Sequence, residues 1–178
     1  MNEPLQSFFF SSEKLRKLAE AYRDSYSSAY PFPYCYFDDF LPENVATTLA
    51  ADFPGSDEAV WIKRSPTHRY QQKKLKIYDE GKMPLAIRHM LGQFNSSSFL
   101  TFLETLTGID GLISDPYWWG GGLHEIKKGG YLGIHIDFNW HEKLRLDRRV
   151  NVILYLNEDW EEVYGGHLEL WNKDVSVR

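Results

Sequence analysis

The chain has 178 residues, with 20 Lys and Arg against 25 Asp and Glu, so its formal net charge is −5. A hydrophobic content of 43% and an aromatic content of 16% exclude a disordered chain and are enough for a buried core. The acidic balance argues against a general nucleic-acid binder, which needs a net basic surface. We therefore expect one domain over residues 1–178 and no nucleic-acid partner.

The sequence also lacks the signals of a membrane or secretory protein. Its apolar runs are only a few residues long, whereas a spanning helix needs about 20 apolar residues. The first residues have neither the basic nor the apolar region of a signal peptide. The single cysteine, Cys35, excludes internal disulfides and fits a reducing compartment. We expect a cytoplasmic protein without a membrane partner.

The first 119 residues predict a helical and mixed region. Ser11 and Ser12 are N-cap residues before an apolar helical periodicity, Pro42 suits a first helical turn, and Gly108 suits a helix end. Helices are predicted at residues 12–29, 42–53, 84–94 and 99–107. Extended segments are predicted at residues 34–40, which are rich in aromatic side chains, and at residues 70–77, which are charged.

The sequence changes in character at the three consecutive glycines of residues 120–122. A hairpin around a glycine-containing turn is predicted next, with arms at residues 123–127 and 131–138. Further strands are predicted at residues 150–156 and 167–171. Helices followed by antiparallel strands indicate the α+β class, with a sandwich or barrel in the β part.

Two polar side chains share one face of the strand predicted at residues 131–138. Side chains alternate between the faces of a strand, so His135 and Asp137 point to the same side. A neutral imidazole and a carboxylate placed in this way can bind one divalent metal ion, and a second histidine would complete the facial set of non-haem Fe(II) oxygenases. The alternative is an ordinary polar face of a surface strand.

The strand predicted at residues 150–156 has one wholly apolar face and one mixed face. Its even-numbered residues are Val or Leu, as a core requires, whereas Asn151, Ile153 and Tyr155 share the other face. An amide and a phenol there indicate a polar pocket, in which the Tyr155 hydroxyl could hydrogen-bond a carboxylate. The alternative is that Tyr155 is a core aromatic residue whose hydroxyl is satisfied locally.

Three motifs follow one another along this part of the chain. They are residues 130–139, residues 148–157 with Trp160, and residues 165–171. Taken together and in this order, they resemble the 2-oxoglutarate- and Fe(II)-dependent oxygenases of the prolyl-hydroxylase-like branch. The close resemblance covers residues 120–171, and residues 32–54 are similar to the N-terminal part of that family.

The resemblance implies a fold and a set of site residues. The fold would be a double-stranded β-helix (jelly-roll) core with N-terminal flanking helices and with its C-terminal strands missing. His135 and Asp137 would bind Fe(II). Tyr155, with Asn151 and Ile153 on the same strand face, would bind 2-oxoglutarate.

The resemblance also implies a reaction. Oxidative decarboxylation of 2-oxoglutarate to succinate would be coupled to hydroxylation of a C–H bond, with O₂ as the other co-substrate and ascorbate as a stimulant. The substrate implied is a prolyl residue in a protein or peptide. No residue identifies proline, however, so hydroxylation of a free amino acid or another small molecule stays open.

The sequence departs from the family at the third iron ligand, a histidine on a later strand followed by a basic residue. Only His141 and His167 follow Asp137, and neither matches that position. Residues 120–178 are therefore expected to form an incomplete core, either within a longer oxygenase or completed by the strands of a partner chain. A binding scaffold that has lost catalysis is the alternative from a different functional class.

Two basic clusters lie near the predicted site. The first, which by the resemblance borders the substrate groove, comprises Lys63, Arg64, His68 and Arg69. The second, which is typical of a solvated face around a turn, comprises Arg145, Arg148 and Arg149. Contact with an acidic partner is the alternative for the second cluster.

Overall fold

The computed structural model describes residues 7–63 and 70–176, which form four α-helices and two antiparallel sheets. The helices are α1 (Ser12–Ser28), α2 (Glu43–Ala51), α3 (Leu85–Phe94) and α4 (Ser97–Thr107). The strands are β1 (Ile62–Lys63), β2 (Gln71–Ile77), β3 (Leu123–Leu132), β4 (Trp140–His141) and β5 (Leu146–Asp147). Short 3₁₀ turns lie at Glu80–Lys82 and Glu162–Tyr164. The predicted α+β class is confirmed. Arg64, His68 and Arg69 of the first basic cluster lie outside the described residues.

The four predicted helices are confirmed, and their ends have the expected local causes. The Ser11 hydroxyl accepts a hydrogen bond from the Lys14 N–H at the start of α1, and the Ser96 hydroxyl does the same for Phe99 in α4. These caps satisfy N–H groups that have no partner inside the helix. Helix α4 ends at Gly108, whose φ of 71° is in the left-handed region that glycine adopts without strain.

The main sheet has the order β1–β2–β3, and its longest contact joins β2 to β3. Gln71 pairs with Leu132 and Ile77 pairs with Leu123. The predicted hairpin within residues 123–138 is therefore wrong, because residues 123–132 continue as one strand along the edge that β2 offers. Gly129, with a φ of 72°, lies in an irregular stretch of this strand and does not reverse it.

The first core lies between one face of this sheet and helices α2 and α3. Leu75 and Ile77 of β2 and Leu123 of β3 are at most 4% exposed on that face. The other buried members of this core are Leu41, Val45, Leu49, Trp61, Met83, Ala86, Ile87 and Met90. Each large apolar side chain buried in this way contributes about 1.5–3 kcal/mol to stability, so this core fixes the position of the sheet.

A second core joins helices α1 and α4. Its buried members are Leu15, Ala19, Phe99, Phe102 and Leu106. Phe37 and Phe40 pack on it, with ring centroids 5.9 Å and 6.0 Å from that of Phe102. The strand predicted at residues 34–40 is therefore wrong, because its aromatic side chains pack on the helices and its backbone joins neither sheet of the described residues.

The chain after β3 contains little regular structure in the described part. Strands β4 and β5 form a small ribbon, and none of the described strands covers residues 134–138, 150–156 or 167–171. The predictions of strands in those segments are wrong, because an extended segment becomes a strand only where another backbone edge pairs with it. The jelly-roll core accordingly stays a prediction.

The side-chain alternation predicted for residues 150–156 is present only from residue 153 onward, because Val152, which the alternation predicts to face the core, is 45% exposed. Leu154 and Leu156 pack against the first core, whereas Ile153 and Tyr155 are 52% and 59% exposed. Burial of alternate residues therefore sets the direction of the side chains here without a hydrogen-bonded ladder. Within residues 7–63 and 70–176, no helix combines the length and the apolar character that a membrane crossing requires.

Candidate metal centre

The segment that follows β3 carries the predicted metal ligands and is held at both ends. At one end the Gly133 N–H donates to the carbonyl oxygen of Tyr70, with an N–O distance of 2.8 Å. At the other end the Arg148 N–H donates to the carbonyl oxygen of Asn139, also at 2.8 Å. The residues between these two bonds therefore have a fixed path, although they do not form a regular strand.

Within this segment the side chains of His135 and Asp137 face each other. His135 Nε2 lies 3.2 Å from Asp137 Oδ1, and His135 Nδ1 lies 2.8 Å from the carbonyl oxygen of Gly133. A carbonyl oxygen only accepts hydrogen bonds, so Nδ1 carries a proton, and in the neutral ring Nε2 then presents a lone pair. A lone pair and a carboxylate oxygen at this distance repel each other unless a proton on Nε2 or a metal cation lies between them.

This geometry fits a shared metal ion. Nitrogen and oxygen ligands lie about 2.1 Å from a divalent transition-metal ion, so two ligands on adjacent octahedral positions are about 3 Å apart. Donation of the second ring N–H to a carbonyl oxygen is the usual outer contact of a metal-bound histidine. His135 and Asp137 therefore meet the requirements for two adjacent metal ligands.

The other carboxylate oxygen of Asp137 contacts two residues of the next segment. Arg148 Nη1 lies 3.0 Å from Asp137 Oδ2, and Asn151 Nδ2 lies 3.5 Å from the same oxygen. The Arg148 side chain is only 20% exposed, and its guanidinium lies over the Phe138 ring at 4.6 Å from the ring centroid. The prediction of a solvated face is therefore wrong for Arg148.

Arg148 is the site residue that sequence reasoning missed. If the predicted alternation of residues 150–156 is continued towards the N-terminus, Arg149 falls on the face that carries Asn151, and Arg148 falls on the opposite face. The Arg148 N–H instead bonds to Asn139, next to the pairing of Trp140 with Asp147, so Arg148 continues the β4–β5 ribbon and not the predicted strand. The signal that could have found Arg148 is the crossing of the two segments, which depends on tertiary structure.

His124 on β3 is close enough to Asp137 for the charge of that carboxylate to act on it. Burial is the main cause that lowers the pKa of His124, and the positive charges of Lys74 and Lys76 lower it further. Asp137 and a hydrogen bond to the carbonyl oxygen of Gly121 act in the opposite direction. His124 Nε2 lies 3.0 Å from that carbonyl oxygen, so this nitrogen is engaged by the backbone.

The three residues predicted to bind 2-oxoglutarate have different positions. Asn151 reaches Asp137, whereas Ile153 and Tyr155 are more than half exposed. Local burial of the phenol raises the pKa of Tyr155. The hydroxyl is protonated at neutral pH even at the ordinary phenol pKa of about 10, so it can donate a hydrogen bond. The structure thus brings Asn151 to the His135–Asp137 pair.

No third ligand from the protein completes the pair in the part of the chain that the structure describes, where no group of three His, Cys, Asp or Glu residues could hold a metal ion. His141 is only 6% exposed, and its Nδ1 accepts a hydrogen bond from the Leu144 N–H at 3.0 Å. Its Nε2 lies 3.3 Å from Asp115 Oδ1 without hydrogen-bond alignment. His167 is exposed, so neither histidine takes that role here.

Residues 121–178, about a third of the chain, match the family model of the 2OG-Fe(II) oxygenase superfamily. The matched region contains His135, Asp137, Arg148, Asn151 and Tyr155. No curated protein and no solved structure matches the chain. The match supports a relationship of residues 121–178 to this superfamily. It also supports the dioxygenase-type function of the superfamily, which depends on Fe(II), 2-oxoglutarate and O₂.

Proposed function

We propose that this protein is an Fe(II)- and 2-oxoglutarate-dependent dioxygenase that uses His135 and Asp137 as two of its metal ligands. One observation carries the proposal: His135 Nε2 faces Asp137 Oδ1 at 3.2 Å within the region that matches the superfamily. A lone pair opposite a carboxylate oxygen is a natural site for a divalent cation. The hydrogen bond to Gly133 keeps the histidine in the tautomer that a ligand needs.

His135 and Asp137 would have different roles in binding the metal ion. Bound iron with 2-oxoglutarate and O₂ would supply the oxidising power for a C–H bond, which no side chain possesses. His135 contributes a neutral donor and Asp137 a negative one, so together they would neutralise one of the two positive charges of the metal. Two protein ligands on one side leave coordination positions for the co-substrate and for O₂.

We assign the recognition of 2-oxoglutarate to the face that carries Asn151, Ile153 and Tyr155. One feature supports this role: the Asn151 amide already borders Asp137. A phenol O–H would pair with a carboxylate of the co-substrate. Ile153 would add an apolar contact to the carbon chain between the two carboxylates.

The substrate we propose is a prolyl residue in a protein or peptide. The side chains of His135 and Asp137 are 43% and 50% exposed, and a peptide segment could cover such an open site with its own surface. The resemblance to prolyl hydroxylases supports proline in particular. A free amino acid or small molecule is the alternative substrate.

We also propose that a further chain segment or a partner chain completes the β core around the site. Ile134 and Ile136 are 53% and 97% exposed, although isoleucine is among the residues most often buried. Strands laid beside these residues would cover them and pair the extended backbone. The third metal ligand would come from the same strands or from water.

Turnover is the direct test of this function. The full chain would be incubated with Fe(II), 2-oxoglutarate, ascorbate and O₂, and succinate would be measured together with the mass of a proline-containing peptide and of free proline. The expected result is formation of succinate together with a mass gain of about 16 Da on the peptide, which corresponds to one added oxygen atom. Consumption of 2-oxoglutarate without an oxidised peptide would overturn the prolyl substrate, and loss of succinate in H135A but not in H167A would assign turnover to the proposed site.

A further inference from the structure

The two oxygens of the Asp137 carboxylate face different groups. Oδ1 faces His135 Nε2 at 3.2 Å, where a metal ion would lie. Oδ2 is 3.0 Å from the guanidinium nitrogen Nη1 of Arg148. The carboxylate is therefore held on the side away from the proposed metal position.

Arg148 is itself held in place by contacts that do not involve Asp137. Its backbone N–H donates to Asn139, and its guanidinium lies over the Phe138 ring. Phe138 in turn lies against Gly120, where a Cβ would come within 2.5 Å of the ring atom Cε1. The guanidinium therefore meets Asp137 from a packed position, and little side-chain freedom has to be lost when the pair forms.

A fixed partner at Oδ2 has a specific consequence for a carboxylate that binds a metal. An unrestrained carboxylate rotates about its Cβ–Cγ bond and can offer either oxygen, or both. The ion pair with Arg148 at Oδ2 favours one orientation and leaves Oδ1 as a single donor beside His135. The positive charge of Arg148 also repels a metal cation, so orientation and charge act in opposite directions on metal affinity.

We infer that Arg148 is a positioning residue, which orients Asp137 so that Oδ1 alone is presented to the metal ion. This inference rests on the proposed metal pair and adds a residue to its support. It predicts that orientation outweighs charge repulsion, so removal of the guanidinium weakens metal binding even though it removes a positive charge. Outer-sphere partners of metal ligands typically contribute about 10–100-fold to metal affinity.

The test is the affinity of the full chain for Mn(II), measured by electron paramagnetic resonance without 2-oxoglutarate. R148Q removes the charge, and R148M keeps an apolar stem on Phe138 while it removes every hydrogen-bond donor. Both variants are expected to bind Mn(II) about 10–100-fold more weakly. R149Q is the matched control, because Arg149 is an exposed neighbour, and its affinity should equal that of the wild type.

Partial rescue separates a positioning role from simple packing. R148K restores a cationic donor in the same place, so it should recover part of the affinity that R148M loses. Equal affinities of R148M and the wild type, or tighter binding by R148M, would overturn the role of Arg148, as would an R148K variant no better than R148M. If the wild type binds no Mn(II), the proposed metal pair is wrong, and the role of Arg148 is wrong with it. If the wild type and R148M bind Mn(II) with equal affinity, the metal pair stands and only the role of Arg148 is wrong.

Discussion

His135 Nδ1 lies 2.8 Å from the carbonyl oxygen of Gly133, two residues earlier in the chain. In the neutral ring this contact places the proton on Nδ1 and leaves the lone pair of Nε2 in front of Asp137. Gly133 also donates its own N–H to Tyr70, so the carbonyl that orients the histidine is anchored to the residue just before β2. The tautomer of the proposed ligand is thus tied to the main sheet.

Removal of His135 should abolish metal binding and leave the fold intact. The side chain is 43% exposed and belongs to neither core, so H135A should unfold at the same urea concentration as the wild type. Its Mn(II) affinity should fall by more than the roughly 10–100-fold that an outer-sphere partner contributes. Unchanged Mn(II) binding in H135A, with H167A as the control for an exposed histidine, would show that the metal binds elsewhere.

Tyr155 should affect the co-substrate more than the metal. Y155F removes one hydroxyl from a residue that is 59% exposed, so stability should change little. The apparent affinity for 2-oxoglutarate should fall by about 10-fold, the equivalent of one hydrogen bond to a charged group, while Mn(II) affinity stays the same. Calorimetric titration of Mn(II) into the metal-free chain and of 2-oxoglutarate into the metal-loaded chain measures the two affinities. An equal 2-oxoglutarate affinity in Y155F would show that Tyr155 does not bind the co-substrate.

Gly122 should be indispensable to the main sheet. Its φ is 87°, and a Cβ there would overlap the carbonyl oxygen of Ile77 on the neighbouring strand. G122A should therefore lower the free energy of unfolding by more than about 1 kcal/mol. Gly92 in helix α3 is the matched control, because a Cβ there meets nothing within 4 Å and G92A should stabilise the helix by about 0.5–1 kcal/mol. A harmless G122A would contradict the strand pairing described here.

His124 should make the stability of the fold depend on pH. Its pKa is lowered in the folded protein, first by burial and then by Lys74 and Lys76, so the unfolded chain binds a proton more readily than the folded one. The contribution is fully present above the ordinary histidine pKa of about 6.5 and is lost as the pH falls from that value through the lower pKa of the folded protein. Urea unfolding of H124N between pH 8 and about pH 5 should therefore show a shallower loss of stability than the wild type; parallel curves would exclude this role.

The helices could be predicted from the sequence because their signals are local. Ser11 and Gly108 mark helix ends through bonds and dihedral angles within a few residues, and the apolar periodicity between such ends is visible without any partner. The sheet could not be predicted in the same way. The partner of β3 is β2, some fifty residues earlier, and the glycines at residues 129–130 fit a turn as well as an irregular strand.

The contact between the two proposed ligands could be predicted from the sequence, and the residues that support them could not. His135 and Asp137 are two residues apart, so a local rule places both side chains on one side, and the 3.2 Å contact agrees with that rule. The contact of Arg148 with Asp137 depends on where two segments cross. The buried position of His141 depends on the loop that carries Asp115, and no pattern in the sequence near His141 indicates it.

Anaerobic titration of the full chain with Fe(II) and 2-oxoglutarate tests the central claim most directly. Coordination of 2-oxoglutarate to a protein-bound Fe(II) ion produces a metal-to-ligand charge-transfer band in the visible spectrum. The band should appear with the wild type, should be absent from H135A, and should persist in H167A. A folded wild-type chain that shows no band at saturating Fe(II) and 2-oxoglutarate would contradict an iron site at His135 and Asp137, and would favour the scaffold function.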